Sequence, residues 1–491
     1  MTKGGAAPAE DSVAARAVPK ARTGIRGLDD ILEGGLPEGR ITLLSGGPGT
    51  GKTVLAMEFV HGGAAAGEPG VFVCFEERAD DLRANAAAMG MDLAAQEEAG
   101  ALRVMTAEIP HRVVRAGEFD IHGLLAILDG HMQAVGARRV VLDAIDVLMR
   151  IFGDPQRERE ELHVLHDWLR DRGATAVITS KADPAGRQIY PFLDFLADCV
   201  LFLDQRMDRQ VRTRRLRVVK YRGSGFLGNE HPYVLTPRGA VLMPVASMSM
   251  AQKTSPKRVS TGHATLDEIL GGGYFAGSCI LLAGPSGAGK TTLACTFVRD
   301  ACRRGERVLY VDFEESAEAL VDEMQSTGID LRPALEDGTL RVLVAMPESA
   351  GIEQHLLDIL DAIESFSPRH LVVDAISACR RMGSEPAAFD FLVRLLTACK
   401  VRGITVFYTN QVAELEQTTQ ISGSGISSLV DVLLAMQYVD DGERLRRRLV
   451  VIKSRGTKHS MRYHDFTIGD CGIALDGAER AERDQAAGDR P

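Results

Sequence analysis

The pattern Gly-x-x-x-x-Gly-Lys-Thr occurs twice, at Gly46–Thr53 and Gly284–Thr291, with Lys52 and Lys290 238 residues apart. A glycine-rich turn of this kind lets successive backbone N–H groups wrap a phosphate chain. It works when a strand leads into it and a helix leaves it with its N-terminus facing the anions. Both copies have that context: the apolar run Ile41–Leu44 precedes the first and Ile280–Leu282 the second, and a helical pattern follows each. Two matches in register are not a chance glycine turn.

The repeat extends far beyond these turns. Leu28-Asp29-Asp30-Ile31-Leu32 returns as Leu266-Asp267-Glu268-Ile269-Leu270, and Phe75-Glu76-Glu77 as Phe313-Glu314-Glu315, all at the same offset of 238. Val141-Leu142-Asp143-Ala144 then matches Val372-Val373-Asp374-Ala375 at 231, so the second copy has lost seven residues in between. Lys220-Tyr221-Arg222-Gly223 matches Lys453-Ser454-Arg455-Gly456 at 233. The expected organisation is two copies of one domain, 18–245 and 258–475, joined by a small, polar, Pro-containing linker at 246–257. Disordered ends are expected at 1–17 and 476–491. Within each copy, continuous β-branched runs alternate with amphipathic stretches, the pattern of buried parallel strands with crossover helices. The fold class is therefore α/β, a mainly parallel sheet flanked by helices in each domain, with ligands at the carboxyl ends of the strands.

Composition narrows the rest. The net charge of −10 builds in no bulk attraction to nucleic acid or anionic membranes. Eight cysteines form no Cys-x-x-Cys and read as buried thiols of a reducing compartment. There is no signal peptide and no apolar stretch long enough to span a membrane, so a cytoplasmic location is expected.

The residues expected to hold nucleotide are Gly46, Gly47, Gly49, Thr50, Gly51, Lys52, Thr53 and Val54 in the first copy. In the second they are Gly284, Ser286, Gly287, Ala288, Gly289, Lys290, Thr291 and Thr292. Lys52 and Lys290 suit β- and γ-phosphate oxygens, and Thr53 and Thr291 suit Mg²⁺. Asp143 and Asp374 end apolar strands, where an acid can hold Mg²⁺ through water; a helix cap is the alternative. The pairs Glu76-Glu77 and Glu314-Glu315 can orient and deprotonate an attacking water or hydroxyl, or else simply start a solvated helix. Lys220, Arg222, Lys453 and Arg455 are either strand-edge solubility charges or a basic pair that reaches the γ-phosphate of a neighbouring subunit.

This combination resembles the KaiC family of circadian-clock ATPases and autokinases over about residues 18 to 475. The resemblance implies RecA-like domains, a double-ring homo-hexamer with ATP at subunit interfaces, slow hydrolysis in the first domain and self-phosphorylation in the second. It places the phosphoacceptors at Ser427 and Ser428, in Ile426-Ser427-Ser428-Leu429-Val430-Asp431. At the offset of 233 these fall on Asp194 and Phe195, so the first copy has no acceptor hydroxyl there. A flexible polar loop around Ser422-Gly423-Ser424-Gly425 is the plainer reading of the same segment. The chain departs from the family at Ala144 and Ala375, where Ser is common, and at Ser422-Gly423, where Thr-Asp is common. A KaiB-like or histidine-kinase/response-regulator partner is implied; a KaiA-type activator is not expected, because the chain stops soon after Leu475. The competing readings are a RecA/DnaB-like DNA-dependent ATPase, using basic residues within Arg206–Arg217, and a nucleotide-gated scaffold without catalysis.

Overall fold

The computed structural model describes residues 18–107, 121–183, 186–208, 211–244, 255–412, 428–470 and 472–476. Ser427 and the Ser422–Gly425 segment lie outside them, as do the expected terminal segment 1–17, all of the expected segment 476–491 except Asp476, and most of the linker. Two compact units are present, the first built from residues up to Ser247 apart from 207–212, the second from Met248 onward.

Each unit is a nine-stranded sheet. In the first, the order is Gly239–Leu242, His231–Thr236, Val211–Tyr221, Cys199–Asp208, Ile41–Gly46, Thr175–Lys181, Arg139–Asp143, Gly70–Cys74, Leu102–Thr106. From Cys199–Asp208 onward the neighbours run parallel. The second unit repeats the order strand for strand, with Cys279–Gly284 at its centre between Thr405–Gln411 and Val432–Asp440. These are tandem RecA-like α/β domains; the apolar runs predict the α/β class and the family resemblance implies the RecA-like form. Buried on both faces, the central strands are almost wholly apolar: Ile280, Leu281, Leu282 and Ala283 have no exposed surface.

The helices Lys52–Ala65 and Lys290–Arg303 start at the glycine-rich turns and pack on the central sheet through Leu55, Phe59 and Val60, and through Leu293, Phe297 and Val298. The seven-residue deletion falls between the equivalent pairs Ala107/Ala345 and Ile121/Ile352, that is, within 108–120 of the first unit, outside the described residues. The seven described cysteines are free and buried. Among the described residues no helix is long and apolar enough to cross a membrane.

Candidate nucleotide sites

The two turns have the geometry of phosphate cradles. Gly49 and Gly51 have φ of 73° and 88°, and Gly287 and Gly289 have 72° and 100°, a region that costs a side-chain-bearing residue about 1–2 kcal/mol. A Cβ on Gly46 would lie 2.4 Å from the Leu203 carbonyl oxygen, whereas one on Gly47 would meet nothing within 4 Å. The turn is thus packed behind and open in front. Lys52 Nζ donates to the Gly46 and Gly47 carbonyls at 2.9 Å each, and Lys290 Nζ to the Pro285 carbonyl at 2.8 Å. Burial lowers the pKa of both lysines. Thr50 Oγ1 closes the first turn onto the Gly47 carbonyl at 2.8 Å. Val54 and Thr292 sit one residue further along their helices, Thr292 buried, and Ala288 is buried within the second turn.

The strand-end aspartates come to the cradles. Thr291 Oγ1 donates to Asp374 Oδ2 at 2.8 Å, and Thr53 stands beside Asp143. Thr179 and Thr409, on the adjacent strand, donate to the other side of each carboxylate. Burial pushes the Asp143 carboxyl up. A hydroxyl and a carboxylate held together beside a phosphate cradle are hard oxygen donors, the set that suits Mg²⁺. Each aspartate is joined to its alanine by a cis peptide.

The glutamate pairs follow the neighbouring strand and sit beside the same aspartates, and the structure divides each pair. Glu76 is tied by Lys181 at 2.6 Å and Arg150 at 3.2 Å, and Glu314 by Arg381 at 3.6 Å. Burial, with Asp143 nearby, raises the Glu77 carboxyl; burial, with Glu323 and Asp312 nearby, raises Glu315. A carboxylate raised in this way suits a proton acceptor.

Lys220, Arg222, Lys453 and Arg455 are not brought to the cradle of their own unit. Lys453 faces Leu433 at the start of Val432–Asp440, and that strand runs parallel to Cys279–Gly284, whose far end carries the cradle. Asp431 N–H donates to the Cys279 carbonyl at the start of that strand, and the five residues from Cys279 to Gly284, at about 3.3 Å each, put this end about 17 Å from the cradle. There, Lys453 Nζ donates to the Val430 carbonyl at 2.8 Å and Arg455 to the Ser428 carbonyl at 2.6 Å. In the first unit Lys220 and Arg222 make the equivalent bonds to the Ala197 and Phe195 carbonyls, at 2.6 and 3.0 Å. The arginines stand one residue beyond the strand ends, a small correction to a placement within them.

Several site neighbours carry no motif. Tyr310 OH donates to Asp374 Oδ2 at 2.8 Å, where the first unit has Phe72. Tyr438 OH lies over the second turn, 3.4 Å from the Ser286 carbonyl, where the first unit has Gln205. Asp312, which burial pushes up to about 6, replaces Cys74, whose thiol burial pushes up to about 12. Only strand register finds these positions, because nothing in their spacing marks them. Arg206, offered for nucleic acid, is paired with Asp204 at 2.6 Å and Glu230 at 2.9 Å.

Two phosphate cradles, each with a hydroxyl, a strand-end aspartate and a glutamate pair, define a tandem RecA-like P-loop ATPase. A family model described as the KaiC ATPase matches residues 21–247 and again 259–479. The circadian clock protein KaiC2 of Synechocystis sp. is 37% identical over 468 residues, 93% of this chain and 81% of the relative. The circadian clock oscillator proteins KaiC of Parathermosynechococcus lividus and Synechococcus elongatus are each 35% identical, over 94% and 93% of this chain and 86% and 89% of theirs. The chain belongs to the KaiC family.

Proposed function

We propose that the first unit hydrolyses ATP slowly and that the second transfers the γ-phosphate of ATP to Ser427 or Ser428 of a neighbouring copy in a homo-hexamer, as a timing or signalling switch. The observation that carries this reading is the placement of Ser428 with Lys453 and Arg455 at the end of the sheet opposite its own cradle. A hydroxyl about 17 Å from the phosphates of its own unit reaches a γ-phosphate only across a subunit interface. The basic pair beside it then meets the same phosphate.

In this reading the turns Gly46–Thr53 and Gly284–Thr291 bind the phosphates through their N–H groups, with Lys52 and Lys290 on the β- and γ-oxygens. Thr53 with Asp143, and Thr291 with Asp374, would hold Mg²⁺, which would supply charge neutralisation of the phosphate oxygens. In the first unit Glu77 takes a proton from water as its oxygen attacks the γ-phosphorus and ADP leaves. In the second, Glu315 takes the proton of the serine hydroxyl, the new bond is Ser O–P, and the broken one is the β–γ bridge. The first unit carries Phe195 where the second has Ser428, so its chemistry stops at water. A KaiB-like protein or a histidine-kinase/response-regulator pair is the proposed downstream partner.

Incubation with γ-labelled ATP and Mg²⁺ followed by phosphosite mapping tests the reading. Label at Ser427 or Ser428, lost in Lys290→Ala and kept in Lys52→Ala, is the expected result. No label, or label that survives Lys290→Ala, contradicts it.

A further inference from the structure

The two units hold the glutamate pair differently. In the first, the side chain of Glu76 is fastened by Lys181 and Arg150. In the second, Gln411 stands at the strand position of Lys181, Arg381 lies 3.6 Å from Glu314, and a hold on the backbone is added. The N–H groups of Glu314 and Glu315 both donate to Asp312 Oδ1, at 2.9 Å each. Asp312 ends the strand Val308–Asp312, is 4% exposed, and faces Asp374 across the parallel ladder. A carboxylate removed from water is retained there through charge-assisted bonds, and the two that the structure gives it run to the glutamate backbone. The residues on either side are fixed as well. Phe313 N–H donates to the Asp374 carbonyl at 3.0 Å and its buried ring packs edge-on against His355 and Phe391. Ser316 caps the next helix through Ala319 N–H at 3.2 Å. In the first unit Phe75 makes the equivalent bond to the Asp143 carbonyl, but Cys74 supplies no carboxylate oxygen behind it.

The difference has a chemical meaning. A base for a serine hydroxyl needs a fixed direction, and in the first unit the side-chain ion pairs of Glu76 with Lys181 and Arg150, at 2.6 and 3.2 Å, supply it. A clamp on the backbone gives direction without using the side chain. We propose that Asp312 is a positioning residue of the second site, aiming Glu314 and Glu315 at the acceptor hydroxyl through their backbone N–H groups. This rests on the phosphotransfer proposed for that unit.

The test uses the full chain carrying Lys52→Ala, so that first-unit turnover is silent, and measures the initial rate of label incorporation from γ-labelled ATP. Asp312→Cys, which installs the first unit's residue, should slow incorporation at least about tenfold, with affinity for a fluorescent ATP analogue unchanged within about twofold. Asp312→Asn should stay within about threefold of the parent, because its amide oxygen accepts the same two N–H groups without the charge. An unslowed Asp312→Cys overturns the clamp. So does an Asp312→Asn as slow as Asp312→Cys, which would assign the effect to charge. If Asp312→Cys does not bind nucleotide, Asp312→Ala takes its place under the same criterion. A parent chain that incorporates no label contradicts the phosphotransfer itself, a result distinct from either failure of the clamp.

Discussion

Glu58 illustrates how much a single side chain of the helix leaving the first glycine-rich turn can set. It lies on Lys52–Ala65, largely buried, and accepts from the Ala240 N–H; burial pushes its carboxyl up to about 7. An acid whose folded pKa lies above its unfolded value contributes stability that is present below the unfolded pKa and lost as pH rises through the folded one. Glu58→Gln keeps the acceptor and removes the charge. The variant should match the parent near about pH 4.5 and exceed it by on the order of 2–3 kcal/mol near about pH 8 in denaturant unfolding of the first unit. Equal stability at both pH values would contradict the burial argument. Arg139 is a second case: 1% exposed, it donates to Glu68, to the Phe59 carbonyl at 2.7 Å and to the Arg22 carbonyl at 2.8 Å. The second unit has His370 there, 3.0 Å from Glu306. The repeat keeps an acid facing a nitrogen base while changing the base.

At the scale of the element, the glycine turns separate packing from function. Gly47→Ala adds a methyl group where no atom lies within 4 Å, at a φ outside the left-handed region. It should leave stability within about 0.5 kcal/mol yet weaken nucleotide affinity of the first unit about tenfold or more, because the methyl occupies the cradle. Gly46→Ala, whose methyl would meet the Leu203 carbonyl oxygen, should instead lower stability. Isothermal titration on the Lys290→Ala background, beside thermal unfolding, reads both; a stable Gly46→Ala or a fully binding Gly47→Ala would refute the assignment. These turns were legible in the sequence because wrapping phosphate demands a fixed pattern between strand and helix. Asp143 and Asp374 were legible for a related reason, since a strand that ends on an acid beside such a turn has few other uses. The unequal holding of the glutamates was not. Lys181, Gln411, Arg150 and Arg381 arrive from other strands and helices, and no linear spacing links them to Phe-Glu-Glu. Tyr310 and Asp312 looked like ordinary residues of an apolar strand.

At the scale of the whole molecule, duplication gave two units with one strand order and different site surroundings. The offset of 233 found in the late sequence is reproduced by the bonds from Arg222 to Phe195 and from Arg455 to Ser428. What linear order hid was the direction of the late strands, which carries those arginines to the end of the sheet away from their own cradle. From that placement comes the central claim, that phosphate passes between copies. A mixing experiment measures it. One chain carries Lys290→Ala and keeps both serines; a second carries Ser427→Ala and Ser428→Ala and keeps its cradle. Neither should incorporate label alone. Mixed and reassembled with γ-labelled ATP, the Lys290→Ala chain should become labelled at Ser427 or Ser428. If the mixture stays unlabelled while the parent chain labels normally under the same conditions, transfer between copies is contradicted.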